Sequence, residues 1–343
     1  MARSVLLLCS NNYLGLAGHP ALRTAAAEAA QRWGAGTGAS PLVSGHMALH
    51  RRLEAELAAF KGAETCVLFG SGFLANTGVL AALAGRGEVI LSDALNHASI
   101  VDGCRLSRAE TIVYAHADLD ALRQAGNRQA VIVTDAVFSM DGDLAPLQGI
   151  VELARSHGAR VVVDEAHATG VVGPGGRGLA AELSLERGVD VVIGTLGKAL
   201  GSYGAFACCN TQTADYLVNR ARTLIYSTAL PPPRSVLPSQ LLSCCSSSRR
   251  SWTACKPMRA CCARSLHSAA SRSKSLGAAA EPDPQHRPLS GLPAAPEHLV
   301  FDLSVVALRA QDGVGEDGCC PVTPPDKAQV SCDVHRAFAF GLA

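Results

Sequence analysis

The sequence predicts an α/β fold built on a mostly parallel central sheet covered by helices on both faces. Three observations carry that prediction. Short, continuous apolar runs recur through residues 1–230, as a sheet buried on both sides requires. Each run stops at turn residues and is followed by a segment with helical patterning. The β-α alternation then repeats, which calls for parallel strands joined by right-handed crossovers.

Taken in order, Met1–Cys9 holds too short an apolar stretch for a secretory signal and reads as a short buried strand. Cys66–Phe69 is a strand, followed by a helix over Phe73–Ala84. Glu88–Leu91 precedes a helix over His97–Arg105, and Thr111–Tyr114 precedes one over Leu119–Ala125. Ala130–Val133 precedes a helix over Pro146–His157, and Arg160–Val163 and Asp190–Ile193 complete the series. In such a sheet a ligand sits at the C-terminal ends of the strands.

Composition narrows the function classes. Of the 343 residues, 48% are hydrophobic and 17% charged, enough apolar material for a large core. The formal net charge of +1 gives no sign of a nucleic-acid or membrane-surface partner. No apolar run approaches the ~18 residues of a membrane-spanning helix. The 13 cysteines include no C-x-x-C pair, so neither a structural metal nor a disulfide framework is expected, and the chain reads as cytoplasmic and reduced.

Periodicity is lost after Pro233. Arg234 to Ser275 holds twelve serines and five cysteines, and residues 282–296 hold five prolines. Only Glu297–Arg309 has the pattern of a regular element. Residues 234–343 therefore read as a low-complexity tail with little regular structure. The sharper reading is a change of reading frame just after Pro233, which an uninterrupted transcript in independent clones would overturn.

The chemistry lies at strand ends. Lys198, in the Gly-rich turn Thr195–Gly201, follows a buried strand. Desolvation there would lower its pKa and free an amine for Schiff-base formation; the alternative is a surface loop lysine. Asp164 follows the Val161–Val163 run, with His167 three residues on. A carboxylate so placed can pair with a protonated ring nitrogen, the electron sink that pyridoxal phosphate needs, or can simply cap a helix. Ser71–Asn76 opens a helix, and the Gly72 and Phe73 amides would face an anion there. His97 follows another strand; its ring could stack on a planar ligand or sit in the core. Ser139 follows a strand too and could hydrogen-bond ring substituents. Gly173–Gly178 matches G-x-G-x-x-G only nominally: it follows no strand and contains Pro174, so it reads as a loop.

These strand-end signals, in this order, resemble the α-oxoamine synthase family of fold-type I pyridoxal-phosphate (PLP) enzymes. The matching stretches are Ser10–Leu16, Pro41–Gly45, Leu68–Phe73, Asn96–Ser99, Val137–Asp143, Asp164–Gly170, Gly194–Gly201 and Ile225–Pro231. The likeness covers about residues 5–233. It implies a truncated N-terminal segment over 1–40, a PLP-binding large domain over 41–233, and a C-terminal small domain that is missing or degenerate.

Residue by residue, the resemblance implies that Lys198 holds the cofactor and moves the substrate α-proton. It makes Asp164 the pyridinium partner, His97 the stacking histidine, and His167 and Ser139 contacts of the O3′ edge. Gly72, Phe73 and Thr195 would lie near the phosphate, and Ser227 or Thr228 would reach a neighbouring subunit's phosphate in a homodimer. The implied reaction is decarboxylative condensation of an amino acid (L-alanine) with an acyl-CoA (pimeloyl-CoA), both small-molecule substrates. A different pairing, such as glycine with acetyl-CoA, stays open, as does a chain that binds PLP without turnover. Two departures stand out: Pro41 replaces an arginine of several members, and no arginine maps onto the family's carboxylate clamp.

Overall fold

The protein is described by a computed structural model over residues 10–125 and 130–235. The expected strand at Met1–Cys9, the expected element at Glu297–Arg309 and the tail beyond Ser235 lie outside the described residues.

Two helices open the fold where the sequence reading placed none. Helix α1 (Pro20–Trp33) starts with proline at its first position, and its entry is capped by His19, whose Nδ1 accepts the Ala21 N–H. Its buried residues Leu22, Ala25 and Ala29 recur at helical spacing. Helix α2 (Ala48–Lys61) buries Leu53, Leu57 and Ala58, and stops at Gly62, whose φ of 72° suits glycine. Both helices are rich in alanine and charge, so their apolar stripes are narrow.

The remaining elements follow the predicted alternation. They are β1 (Thr65–Phe69), α3 (Gly72–Leu83), β2 (Val89–Asp93), α4 (Ala98–Ser107), β3 (Glu110–Tyr114), α5 (Leu119–Ala125), β4 (Ala130–Asp135), α6 (Leu147–His157), β5 (Arg160–Asp164), α7 (Leu179–Glu182), β6 (Val191–Thr195), β7 (Ala205–Cys209), α8 (Thr211–Arg220), α9 (Arg222–Ile225) and α10 (Pro232–Ser235). The strands form one seven-stranded sheet in the order β1-β7-β6-β5-β4-β2-β3. All neighbours are parallel except β7, which runs antiparallel to both β1 and β6.

Strand β7 is a correction to the sequence reading. Its Ala-Phe-Ala-Cys-Cys sequence has no β-branched residue to announce a strand. An antiparallel neighbour needs no helical crossover, so β6 turns straight back through the loop that carries Lys198. The pairing is tight: Phe206 lies opposite Gly194, and a Cβ on Gly194 would come within 2.2 Å of the Phe206 ring.

Alternate residues of each strand feed two apolar layers, as the pleat dictates. Ile132, Val161, Val163 and Phe206 pack on one face with Leu53, Leu57, Leu147 and Ile150. Val131, Val133, Val162 and Ile193 pack on the other with Val79, Leu80, Ile100 and Leu217. Because β7 is reversed against both neighbours, β1 points the same way as β6. The C-terminal ends of β1, β2, β4, β5 and β6 therefore share one rim, which positions the site.

One brace beside that rim is sensitive to pH. His116 Nδ1 lies 2.9 Å from Asp93 Oδ1 and its Nε2 lies 2.7 Å from Asp143 Oδ2. Burial works to lower its pKa, but hydrogen bonds to the two carboxylates outweigh it and the pKa is raised. A raised folded-state pKa gives stabilisation that is complete below the ordinary histidine value and lost as pH rises through the folded value. Tm is therefore expected to fall as pH rises past the ordinary histidine value of about 6.5, and His116→Gln to flatten that slope. An unchanged slope in the variant would remove His116 as its source.

Candidate active site

Asp164 ends β5 and lies in register with Asp135, which ends β4. Both are 4% exposed. Asp164 Oδ1 accepts the Ala166 N–H at 2.8 Å, and Oδ2 accepts from Asn76 Nδ2 at 2.6 Å. Asp135 Oδ2 accepts the His97 N–H at 2.7 Å. Burial, and then the neighbouring Asp164, push the Asp135 carboxyl well above the usual range. Asp135 thus takes up a proton more readily than an ordinary aspartate.

Lys198 is half-buried in the β6–β7 loop, with Nζ 2.6 Å from His167 Nε2. Burial lowers its pKa, against the pull of Asp164 and Asp135. His167 sits on the turn after β5, and its Nδ1 lies 2.6 Å from the Tyr13 hydroxyl. Its pKa falls to about 3, first from burial and then from Lys198 and His97. The imidazole is therefore neutral at physiological pH, and its ring nitrogens bridge an amine and a phenol.

The other expected residues are distributed around the same rim. His97 is the N-cap of α4; the residue is accessible from the cleft while its ring is partly shielded, and Nδ1 lies 2.7 Å from Ser99 Oγ. Gly72 and Phe73 are the first two residues of α3, whose N-cap Ser71 Oγ accepts the Leu74 N–H. Their amides have no intrahelical acceptor. A Cβ at Gly72 would meet nothing within 4 Å, so a ligand can approach that helix end. Ser139 lies exposed in the turn after β4. The Thr195 hydroxyl is engaged inside its own loop, donating to Gly204 O at 3.1 Å and accepting the Gly197 N–H. Ser227 and Thr228 stand apart from this hydrogen-bonded set and line a cavity of about 330 Å³ beside β1. The Gly173–Gly178 segment, expected as a flexible loop, folds instead around a short 3-10 turn at Pro174–Gly176, with Gly173 and Gly178 closely packed.

The model of the family described as aminotransferase class I and II matches residues 3–237. The chain belongs to the aminotransferase class I and II family.

Within that family it is 55% identical over 235 residues to 8-amino-7-oxononanoate synthase of Geobacter sulfurreducens, covering 67% of this chain and 60% of that protein. It is 56% identical over 236 residues to the same enzyme of Geotalea daltonii, with the same shares. The chain thus spans about 60% of the length of the curated relatives it matches. Among solved structures, serine palmitoyltransferase from S. paucimobilis with a bound PLP–myriocin aldimine superposes with a TM-score of 0.68 at 34% identity, over 70% of this chain and 62% of that one. 8-Amino-7-oxononanoate synthase from Francisella tularensis gives a TM-score of 0.65 at 29% identity, over 73% and 72%. The fold-type I architecture expected from the sequence is borne out over the described residues.

Several residues of this aminotransferase class I and II site escaped the sequence reading. Asp135 carries the same signal as Asp164, a carboxylate closing a β-branched strand. Asn76 stands out in hindsight as a polar side chain inside the apolar helix α3. Tyr13 sits in the quoted Ser10–Leu16 stretch, but nothing local shows that it meets His167, 154 positions away. Among the described residues, no helix is long and apolar enough to cross a membrane.

Proposed function

We propose that this chain binds pyridoxal 5′-phosphate and condenses L-alanine with pimeloyl-CoA to give 8-amino-7-oxononanoate, CoA and CO2. The observation that carries the reading is the Lys198 amine, desolvated and held 2.6 Å from a neutral imidazole, on the same rim as the buried Asp164. The naming of the 55–56% identical relatives supports the choice of reaction.

The donor set fits that cofactor. A phosphorylated pyridine aldehyde needs an amine, an anionic partner for its ring nitrogen and donors for its phosphate. Lys198 supplies the first and Asp164 the second. The open amides of Gly72 and Phe73, at the positive end of the 12-residue helix α3, supply the third. When bound, the protonated ring withdraws electrons from the amino-acid Cα. Asp164 keeps the ring-nitrogen proton in place. Lys198, with its lowered pKa, is the base that takes the α-proton and the acid that returns it. His97 would cover the ring face, and His167 and Ser139 would face the O3′ edge. Thr195 would support the phosphate side through its loop, and Ser227 or Thr228 would reach a second subunit's phosphate. A cytoplasmic homodimer belongs to the same proposal; the free thiols of Cys66, Cys104, Cys208 and Cys209 are consistent with a reducing compartment. The division into 1–40, 41–233 and 234–343 belongs to it too; the end of the family match at residue 237 supports the boundary near 233.

The test is CoA release from pimeloyl-CoA on addition of L-alanine, read by chromatography. Asp164→Asn is expected to lower turnover by about 10²–10³-fold, the scale for removing one group aimed at developing charge, with a far smaller effect on folding. Unchanged turnover would take Asp164 out of this role. Cofactor capture without CoA release from the unaltered chain would mark the PLP-binding, non-catalytic alternative.

A further inference from the structure

A buried polar chain connects Asp164 to His97, and the roles given above do not require it. Asn76 is 1% exposed and Ser99 is fully buried. Asn76 Nδ2 lies 2.6 Å from Asp164 Oδ2 and 2.9 Å from Ser99 Oγ. The direction of these bonds follows from chemistry. A carboxylate only accepts, so the amide nitrogen of Asn76 must face Asp164; turning the amide over would set two oxygens 2.6 Å apart. The two protons of the same NH2 serve Asp164 and Ser99. The cost of this orientation is visible in Asn76 Oδ1, which is buried without a hydrogen-bond partner.

The hydrogen-bonded chain continues outward from Ser99. Its Oγ accepts from Asn76, which leaves its own O–H to donate. His97 Nδ1 is the acceptor in reach, at 2.7 Å, and the Ser99 backbone N–H points at the same nitrogen at 3.2 Å. A ring nitrogen that receives two donors carries no proton. The single proton of a neutral His97 therefore lies on Nε2, on the ring edge turned away from Ser99.

We propose that Asn76 and Ser99 are positioning residues that transmit the orientation set by the Asp164 carboxylate to His97 and fix it as the Nε2–H tautomer. The inference deepens the proposed function, because it rests on that reading for its use: a ring face kept neutral over the cofactor, with a donor edge open to a carbonyl or carboxylate of the substrate. Four charged or titratable groups face His97. Asp164 and Lys198 act on it through the cleft, His167 is felt from the turn after β5, and Asp135 accepts its backbone N–H. Burial lowers the His97 pKa, Asp164 opposes this and Lys198 adds to it, so the neutral ring prevails.

The test is the His97 ring signal in the full chain with labelled histidine, assigned by its loss in His97→Gln. The wild type is expected to show the Nε2–H pattern at neutral pH. Ser99→Ala is expected to shift the tautomer ratio toward Nδ1–H by roughly 2–10-fold, the scale of one hydrogen bond, and to raise the His97 pKa. Ser99→Thr, which keeps the hydroxyl, is expected to restore both. An Nδ1–H wild-type ring, or a Ser99→Ala spectrum and titration identical to wild type, would overturn the proposal. The wild-type spectrum decides alone if a variant does not fold. The measurement needs no cofactor, so failure to capture PLP at Lys198 would sink the proposed function and leave this result standing.

Discussion

Lys198→Ala is expected to abolish covalent capture of pyridoxal phosphate and to reduce turnover to background. Wild-type chain mixed with the aldehyde and treated with borohydride should carry one reduced adduct, on the peptide containing Lys198; the variant should carry none on that peptide. Lys61 and Lys198 are the two lysines of the described residues. Lys61 Nζ already donates to Glu165 Oε2, Thr169 Oγ1 and Arg177 O, which uses all three ammonium protons. Among the described residues no carboxylate is bonded to Lys198, and burial lowers its pKa, so a larger share of it is the nucleophilic free amine at neutral pH. Mass spectrometry of the reduced peptides checks this, and an adduct that persists unchanged in Lys198→Ala would refute it.

The largest stability effect is expected at Glu165, the residue next to Asp164 whose side chain serves the opposite purpose. Its side chain is fully buried. Oε2 accepts from Lys61 Nζ at 2.6 Å and Oε1 accepts the Ala180 N–H at 2.8 Å. The pair ties the end of α2 to the turn after β5 and to the start of α7. Packing around it is close: a Cβ on Gly178 would lie 1.8 Å from Glu165 Oε2, and Gly178 has a φ of 110°. Glu165→Ala leaves the Lys61 charge buried without its counter-ion, which costs about 3–5 kcal/mol. That is a large share of the ~5–15 kcal/mol that a domain possesses. The double variant Lys61→Met with Glu165→Gln removes both charges and should recover a substantial part of the loss. Urea denaturation measures both; a Glu165→Ala midpoint within the error of wild type would show that the pair contributes nothing.

Where the sequence was legible, the signal was local. Ala130–Val133 and Arg160–Val163 announce strands through β-branched apolar runs, and the structure extends each by a residue or two to the carboxylates Asp135 and Asp164. The helix over Phe73–Ala84 and the one over Pro146–His157 lie within one residue of the observed α3 and α6. Lys198 stood out as a lysine after a buried strand in a Gly-rich turn, with a surface loop lysine as the alternative; its half-buried place beside His167 became visible only in the folded chain. β7 was not legible, since Ala205–Cys209 becomes a strand only by pairing on both sides with β1 and β6.

The sequence by itself therefore determined the α/β alternation, the rim on which chemistry can occur and the chief residues along it, because periodicity and turn chemistry act over a few neighbouring positions. The tertiary structure alone decided which side chains meet. Asn76 finds Asp164 across 88 positions, and Lys61 finds Glu165 across 104. Such pairs are fixed by how strands register and helices dock. A hydrogen bond formed only after that docking leaves no periodic trace in either partner's neighbourhood.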